Sequence, residues 1–178
     1  MRARQTDELG KQIGDKEREL NGHFFRWVAK VETGDLDEAE AYLVAAERIA
    51  DELRQPAQYW QVISSRAMLA LAPGRLGEAE ELVASAYAWG EQALPGGIAP
   101  AVCALQQYTL CELRDRLEEV EPLIEELVVD YPARPVFRCV LAHLQARQGR
   151  TTDPVHSSAI WHKTASAVSR ATWNGSSA

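Results

Sequence analysis

The sequence predicts an all-α fold, a right-handed superhelix of antiparallel helix hairpins of the kind called an α-solenoid. The first observation is a repeated stretch: residues 32–43 read ETGDLDEAEAYL and residues 72–83 read APGRLGEAEELV, so a Gly, a Leu and Glu-Ala-Glu return after 40 residues. A weaker copy follows 41 residues later with Asp115 in place of the Gly, and Gly149 begins a fourth. The second observation is the helical spacing of apolar residues on both sides of each turn. Repeats of this length are typical of stacked helix hairpins.

The glycines of the repeated stretch are predicted to end the first helix of each hairpin. Gly34 and Gly74 lie where the chain must take the left-handed conformation, which only Gly adopts without a steric penalty. Asp35 follows and is expected to accept backbone N–H groups as the N-cap of the next helix. Ala39 and Ala79 lie one turn inside that helix, where we expect a neighbouring helix to approach closely.

Seven helical segments follow from the apolar spacing, the turns and the prolines. In chain order they cover residues 16–33, 36–53, 57–72, 76–92, 98–114, 117–129 and 135–148. The first segment is expected to bury a stripe made of Leu20, Phe24, Trp27, Val28 and Val31. Pro122 lies inside the sixth segment, and a later start near Glu121 is the alternative there. Leu117, Val120 and Ile124 remain in phase, which favours one helix from Leu117.

The chain divides into three parts by composition. Residues 1–14 form a polar lead-in, interpreted as a loose helix, and residues 15–150 hold the repeats. Residues 151–178 contain ten Ser or Thr and a single acid, Asp153. Such low hydrophobicity favours disorder, because burial then does not offset the entropy of ordering. The alternative is a capping helix over about 157–172, in which Trp161 and Val168 would cover the open end of the repeats.

Composition and charge indicate a cytoplasmic protein. The 178 residues are 46% hydrophobic and 25% charged, which is ordinary for a folded domain with a core. No uncharged run supplies the ~20 apolar residues of a membrane-spanning helix, and the N-terminus lacks the apolar segment of a signal peptide. We therefore expect no membrane partner. A net charge of −7 repels phosphate backbones, so direct binding of nucleic acid is not expected.

Catalysis, a cofactor and a metal site are all unexpected. The phosphate-binding, dinucleotide-binding and nucleophile-elbow motifs are missing from the sequence. Cys103, Cys111 and Cys139 lack C-x-x-C spacing, which predicts buried free thiols. Cys139 and His143 are the only i, i+4 pair that could bind a metal. A metal site needs further ligands and none lies nearby in sequence, so packing at a helix interface is the favoured interpretation.

Small residues at fixed distances from the turns carry a resemblance to a known family. Alanines lie five and twelve residues after both Gly34 and Gly74, and the interval from Asp115 to Pro132 ends in a proline. These positions resemble the second halves of tetratricopeptide repeats, which implies a repeat fold that binds other proteins.

A second similarity lies in the order of short motifs over about 15–150. These motifs are Arg26-Trp27, Gly34-Asp35, Leu53-Arg54-Gln55-Pro56, Tyr59-Trp60, Arg66-Ala67-Met68, Gly74-Arg75-Leu76, Glu78-Ala79-Glu80 and Tyr131-Pro132-Ala133. Their order is similar to the repeat regions of large actinobacterial ATP-binding regulators, namely LuxR-type transcription factors and nucleotide-cyclase-associated ATPases. The chain itself contains no ATPase, cyclase or helix-turn-helix motif, so the resemblance assigns no nucleotide chemistry to any residue.

We therefore expect a non-catalytic scaffold for protein–protein interaction. The alternative is a ligand- or partner-sensing regulatory segment of a bacterial transcriptional regulator or signalling ATPase. In tetratricopeptide-like arrays the first helix of each hairpin lines a concave groove. Counting back from the four turns places in this groove Asn21, Phe24, Gln61, Ser64, Val102, Leu105, Thr109, Cys139 and His143.

The predicted groove lacks the paired Lys and Arg that would hold a terminal carboxylate or a phosphate. The expected partner is a protein or peptide that lays an amphipathic helix or a hydrophobic segment into the groove. A second copy of the chain is the other partner considered. For Phe24, Val102 and Leu105 the alternative is packing between repeats, because apolar residues at helical spacing usually belong to a core.

Overall fold

The computed structural model describes residues 14–150, and this part of the chain is all-helical, with no β-strand in it. Its helices are α1 (Lys16–Glu32), α2 (Leu36–Leu53), α3 (Pro56–Leu71), α4 (Leu76–Ala93), α5 (Ala99–Leu113), α6 (Glu121–Asp130) and α7 (Pro135–Arg147). The all-α prediction is confirmed. None of these helices is both long and apolar enough to cross a lipid bilayer. The predictions for the lead-in before Gly14 and for the tail after Arg150 lie outside the described residues.

The helices α1, α3, α5 and α7 end in the same kind of turn. One residue of each turn has positive φ: +76° at Gly34, +81° at Gly74, +56° at Asp115 and +69° at Gly149. In every case its N–H donates to the carbonyl three residues back, at 3.0 to 3.1 Å, and the next N–H donates to the carbonyl five residues back, at 2.8 to 2.9 Å. This pair of bonds satisfies carbonyls that a helix end leaves free. The predicted positions of the four turns are confirmed.

Asp35 starts α2 as the sequence predicts. Its Oδ1 accepts the backbone N–H of Glu38 at 3.3 Å, and its Oδ2 lies 3.0 Å from Lys30 Nζ at the end of α1. The hydrogen bond from Lys30 and the backbone N–H of Glu38 lower the pKa of the Asp35 carboxyl. One side chain therefore caps α2 and ties the end of α1 to its start.

The chain divides into two compact units. The first ends at Leu110 and the second begins at Cys111. In the first unit, one buried cluster joins α1, α2 and α3, and two further clusters join α3 and α4 to Cys103 and Leu110 of α5. The fully buried large side chains of this unit are Leu20, Leu43 and Val62. Ala39 and Ala79 are completely buried, as expected for positions where helices approach closely.

The second unit contains α6 and α7, and its helix start corrects a prediction. A single helix from Leu117 is wrong: Leu117–Glu119 forms a short 3-10 turn, and α6 begins at Glu121 with Pro122 in its first turn. In a helix that began at Leu117, Pro122 would lie in the interior, where it lacks the N–H donor and clashes with the carbonyl four residues earlier. The 3-10 turn still buries Leu117 and Val120, which explains why their spacing looked helical.

Candidate interaction surface

The residues of the predicted groove fall in both compact units. Asn21, Phe24, Gln61, Ser64, Leu105 and Thr109 belong to the first unit, with Val102, whereas Cys139 and His143 belong to the second. Their positions are best compared by counting back from the turn residue that follows each helix, namely Gly34 for α1, Gly74 for α3, Asp115 for α5 and Gly149 for α7.

Within the first unit, α3 contacts both α1 and α5. Gln55, the residue before α3, donates from Nε2 to Glu17 Oε1 in the first turn of α1 at 3.3 Å. Gln106 of α5 donates from Nε2 to the Ser64 carbonyl of α3 at 2.7 Å, and the same Nε2 lies 3.2 Å from Ser64 Oγ. The first helices of the three hairpins are therefore linked in the order α1, α3, α5.

The positions ten residues before each turn are partly interior. Phe24 belongs to the core cluster of α1, α2 and α3, and Ser64 is buried in its hydrogen bonds with Gln106. Leu105 is half-buried and Cys139 is exposed. Phe24 is therefore packed in the core, as the alternative interpretation of this residue predicted. The Ser64 side chain faces α5.

The positions thirteen residues before each turn are more open. Asn21 is exposed, and Gln61 and Val102 are half-buried. Thr109 lies six residues before its turn and is half-buried, with its hydroxyl donating to the Leu105 carbonyl at 3.1 Å. That bond stays within α5, so the Thr109 hydroxyl is already engaged by its own helix.

Two apolar residues at the same distance as Thr109 complete this surface, and the groove prediction did not include them. Val28 and Met68 lie six residues before Gly34 and Gly74, and their exposed fractions are 42% and 45%. The prediction that Val28 is part of the buried stripe of α1 is therefore wrong. Its spacing fits the core pattern, but successive residues of a helix point about 100° apart. Trp27 faces the core, and Val28 therefore lies at the edge of the buried face. Counting back six residues from Gly34 and Gly74, as for Thr109 from Asp115, would have identified Val28 and Met68 from the sequence.

We call Asn21, Val28, Gln61, Met68, Val102 and Thr109 the neutral stripe. They occupy the positions thirteen and six residues before the turns of α1, α3 and α5, and none of them carries a charge. All six are exposed or half-buried. The neutral stripe presents apolar groups beside two side-chain amides, within a chain whose net charge is −7.

Arg66, the cation of α3 closest in sequence to Met68, is paired with two carboxylates of α2. Arg66 donates from Nη1 to Glu40 Oε1 at 2.9 Å and from Nη2 to Glu47 Oε2 at 2.5 Å, both on α2. Burial of the Arg66 guanidinium opposes its charge, but the hydrogen bonds and charges of Glu47 and Glu40 outweigh this effect and raise the pKa of Arg66. Arg66 thus ties α3 to α2 rather than serving as an open anion clamp.

In the second unit, α7 exposes Cys139 and His143 one turn apart. His143 Nε2 lies 3.8 Å from Glu112 Oε1, the same oxygen that accepts from Arg147 Nη1 at 3.1 Å. Among the residues that the structure describes, no group of three or more His, Cys, Asp and Glu is placed to bind a metal ion.

The cysteines are free, and one of them corrects a prediction. Cys103 and Cys111 are buried as expected, and burial raises the pKa of the Cys103 thiol to about 11. Cys139 is exposed, so its predicted burial is wrong. The apolar side of α7 is formed by Phe137, Leu141 and Leu144, which leaves Cys139 on the other side of the helix.

Comparison with known proteins gave no relative: no family model, no curated protein and no solved structure matches this chain.

Proposed function

We propose that this chain is a non-catalytic scaffold that binds other proteins, built from tetratricopeptide-like hairpins stacked into a right-handed superhelix. The observation that carries the proposal is the neutral stripe, in which the first helices of three successive hairpins present uncharged side chains at equivalent positions. The four identical turns support the same repeat architecture, because they place each helix pair in the same local geometry.

An amphipathic helix is the partner that the neutral stripe fits best. Val28 and Met68 offer apolar area that is exposed in the chain alone, and helical ligands bury such area through residues spaced three or four apart. Asn21 and Gln61 supply amides that can donate and accept hydrogen bonds at the edge of the contact. A peptide carboxylate or a phosphate held beside Met68 would need an open Arg or Lys there, and Arg66, the cation of α3, is bound to Glu40 and Glu47.

Selection from a displayed library of amphipathic helical peptides, with the full chain as bait, tests this proposal. We expect enriched peptides with apolar residues three and four apart. Met68→Glu should weaken their binding at least about tenfold, because a carboxylate would be desolvated against apolar groups. Met68→Leu should retain binding, since the volumes are similar.

Tyr87→Glu is the matched control, because Tyr87 is an exposed apolar residue of the second helix α4 and lies outside the neutral stripe. It should leave peptide binding unchanged. If no helical peptide is enriched, or if Met68→Glu and Tyr87→Glu have equal effects, the neutral stripe is not the binding surface.

A further inference from the structure

A second exposed stripe lies on α1. Arg18, Asn21, Phe25, Val28 and Glu32 follow one another at intervals of three, four, three and four residues, and all five are exposed. The aromatic side chain of Phe25, at the centre of this set, has an exposed fraction of 60%. Steps that alternate between three and four keep side chains facing one partner helix. We call these five residues the α1 seam.

The residues equivalent to Phe25 in the other first helices of this unit are buried. Phe25 lies nine residues before Gly34, and Ser65 and Gln106 lie nine residues before their own turns at Gly74 and Asp115. Ser65 and Gln106 are both buried, and Gln106 bonds α3, the first helix that precedes its own. In α1 the same position holds a large aromatic residue with its side chain in solvent, so a further helix is the kind of element that fits it.

We propose that the α1 seam binds the α1 seam of a second copy of this chain, in an antiparallel pair with a two-fold axis at Phe25. Arg18 lies seven residues before Phe25 and Glu32 seven residues after it. The antiparallel pair therefore places Arg18 opposite Glu32 of the partner subunit, twice by symmetry. A parallel pair would place each charged residue opposite its own copy, which is repulsive. Charge complementarity thus favours a second copy in this orientation.

The local geometry of Arg18 suits this pairing. Its Nε lies 3.0 Å from Asp15 Oδ2, within the same turn of α1. This bond uses one of the five N–H donors of the guanidinium and leaves others for the carboxylate of Glu32 in the partner subunit. The apolar centre at Phe25 and Val28 supplies the buried area, and the charged ends set the direction of the pair.

The dimer is expected to be weak and concentration-dependent. Helix α1 has 17 residues and is therefore only about 25 Å long, so one such pair buries less than a standard protein interface. Asn21 and Val28 belong to both the α1 seam and the neutral stripe, so the dimer and a bound peptide would compete for α1. Gln61, Met68 and Thr109 of the neutral stripe lie on other helices, and Phe25 lies in the α1 seam alone. Substitutions at Met68 and at Phe25 therefore distinguish the two surfaces.

Sedimentation velocity of the full chain over a range of concentrations tests the dimer. Arg18→Glu and Glu32→Arg should each weaken it roughly tenfold, because each creates two repulsive pairs. The double variant R18E/E32R should restore wild-type affinity, since both pairs are re-formed with the charges exchanged. Phe25→Glu should abolish the dimer, and thermal melts should show that these exposed substitutions leave the monomer folded.

Three results would overturn the proposal: a monomer at every concentration, a dimer that persists in Phe25→Glu, or a double variant no better than the single ones. Met68→Glu is the control for independence and should leave the dimer intact. If Met68→Glu abolishes the dimer and R18E does not, the interface between copies lies on the neutral stripe instead.

As a positional check, Phe25→Cys in a Cys139→Ser background should cross-link to its own copy under mild oxidation, because a two-fold axis at this residue brings the two thiols together.

Discussion

Gly90, in the last turn of α4, is a residue whose lack of a side chain the packing requires. A Cβ built on Gly90 would overlap the Cβ of Ala99 on α5 and would lie 3.0 Å from Cδ1 of Trp60 on α3. Ala99 is itself buried, so it has no open space to move into. Gly90 therefore lets the start of α5 approach the end of α4.

Gly90→Ala is expected to lower the free energy of unfolding by ~1–3 kcal/mol, the usual range for overpacking a core. Gly77→Ala is the matched control in the same helix, since nothing lies within 4 Å of a Cβ at Gly77. The control should be neutral or should stabilise by at most about 1 kcal/mol. Urea unfolding of both variants checks the pair, and equal effects would mean that α4 and α5 are not in close contact at Gly90.

Substitutions at Asp115 and at Gly34 test the turn geometry, because they are expected to change the free energy of unfolding in opposite directions. Asp115 takes a φ of +56°, which costs an L-residue energy that Gly does not incur. Asp115→Gly should therefore stabilise the chain, by about 0.5–1 kcal/mol, because relief of the left-handed strain exceeds the extra entropy of Gly in the unfolded chain. Gly34→Ala should destabilise it by ~1 kcal/mol, through strain alone, because a Cβ at Gly34 meets no atom within 4 Å. Thermal melts that show the same sign for both variants would contradict the shared turn geometry.

At the scale of helices, α3 and α5 are joined through a buried polar contact. Gln106 is buried, and its Nε2 donates to the carbonyl and the hydroxyl of Ser64. Removing the amide would take away both hydrogen bonds and the packing of a buried side chain between α3 and α5. The Ser64 carbonyl lies inside α3 and keeps its helical partner, so the expected cost is that of the lost bonds and packing.

Gln106→Ala is expected to destabilise the chain by ~1–2 kcal/mol, because the hydrogen bonds to Ser64 and the packing of the buried side chain are lost. Gln107→Ala, at the exposed neighbouring position of the same helix, is the control and should stay within about 0.5 kcal/mol of the wild type. Equilibrium unfolding in urea gives both values. A loss of stability in Gln107→Ala alone would mean that α5 is rotated from its described orientation.

The helix ends were largely predictable from the sequence, because their chemistry is local. Gly34, Gly74 and Asp35 act within one turn of the backbone. Every predicted helix starts and ends within one residue of the observed bounds, except that the sixth starts four residues later than predicted. The start of α6 was missed because the apolar spacing of Leu117 and Val120 continues through a 3-10 turn.

The exposed surface was less predictable, because burial depends on which helices come to lie against each face. Val28 follows the same spacing as its buried neighbour Trp27, and Cys139 lies in an apolar context, yet both are exposed. Periodicity marks an apolar face only to within about one residue on either side. A consistent count from the turns would have identified Met68 as well, since the repeats place equivalent residues at equal distances.

At the scale of the whole molecule, the described chain uses one local arrangement four times. Each first helix ends in the same pair of hydrogen bonds, and in the first unit the linked helices α1, α3 and α5 present uncharged residues at matching positions. The proposed repeat architecture rests on this internal repetition. The central claim of the proposed function is that these three helices lie side by side along one face.

Pairwise distances between spin labels test this claim most directly. Labels are placed at Val28→Cys, Met68→Cys and Thr109→Cys, in pairs, in a Cys139→Ser background, with the buried Cys103 and Cys111 retained. Packed helices lie about 8–10 Å apart, so the distances 28 to 68 and 68 to 109 should be similar, and the distance 28 to 109 should be longer by roughly one helix spacing. A distance 28 to 109 no longer than 28 to 68 would contradict the side-by-side arrangement and, with it, the proposed binding face.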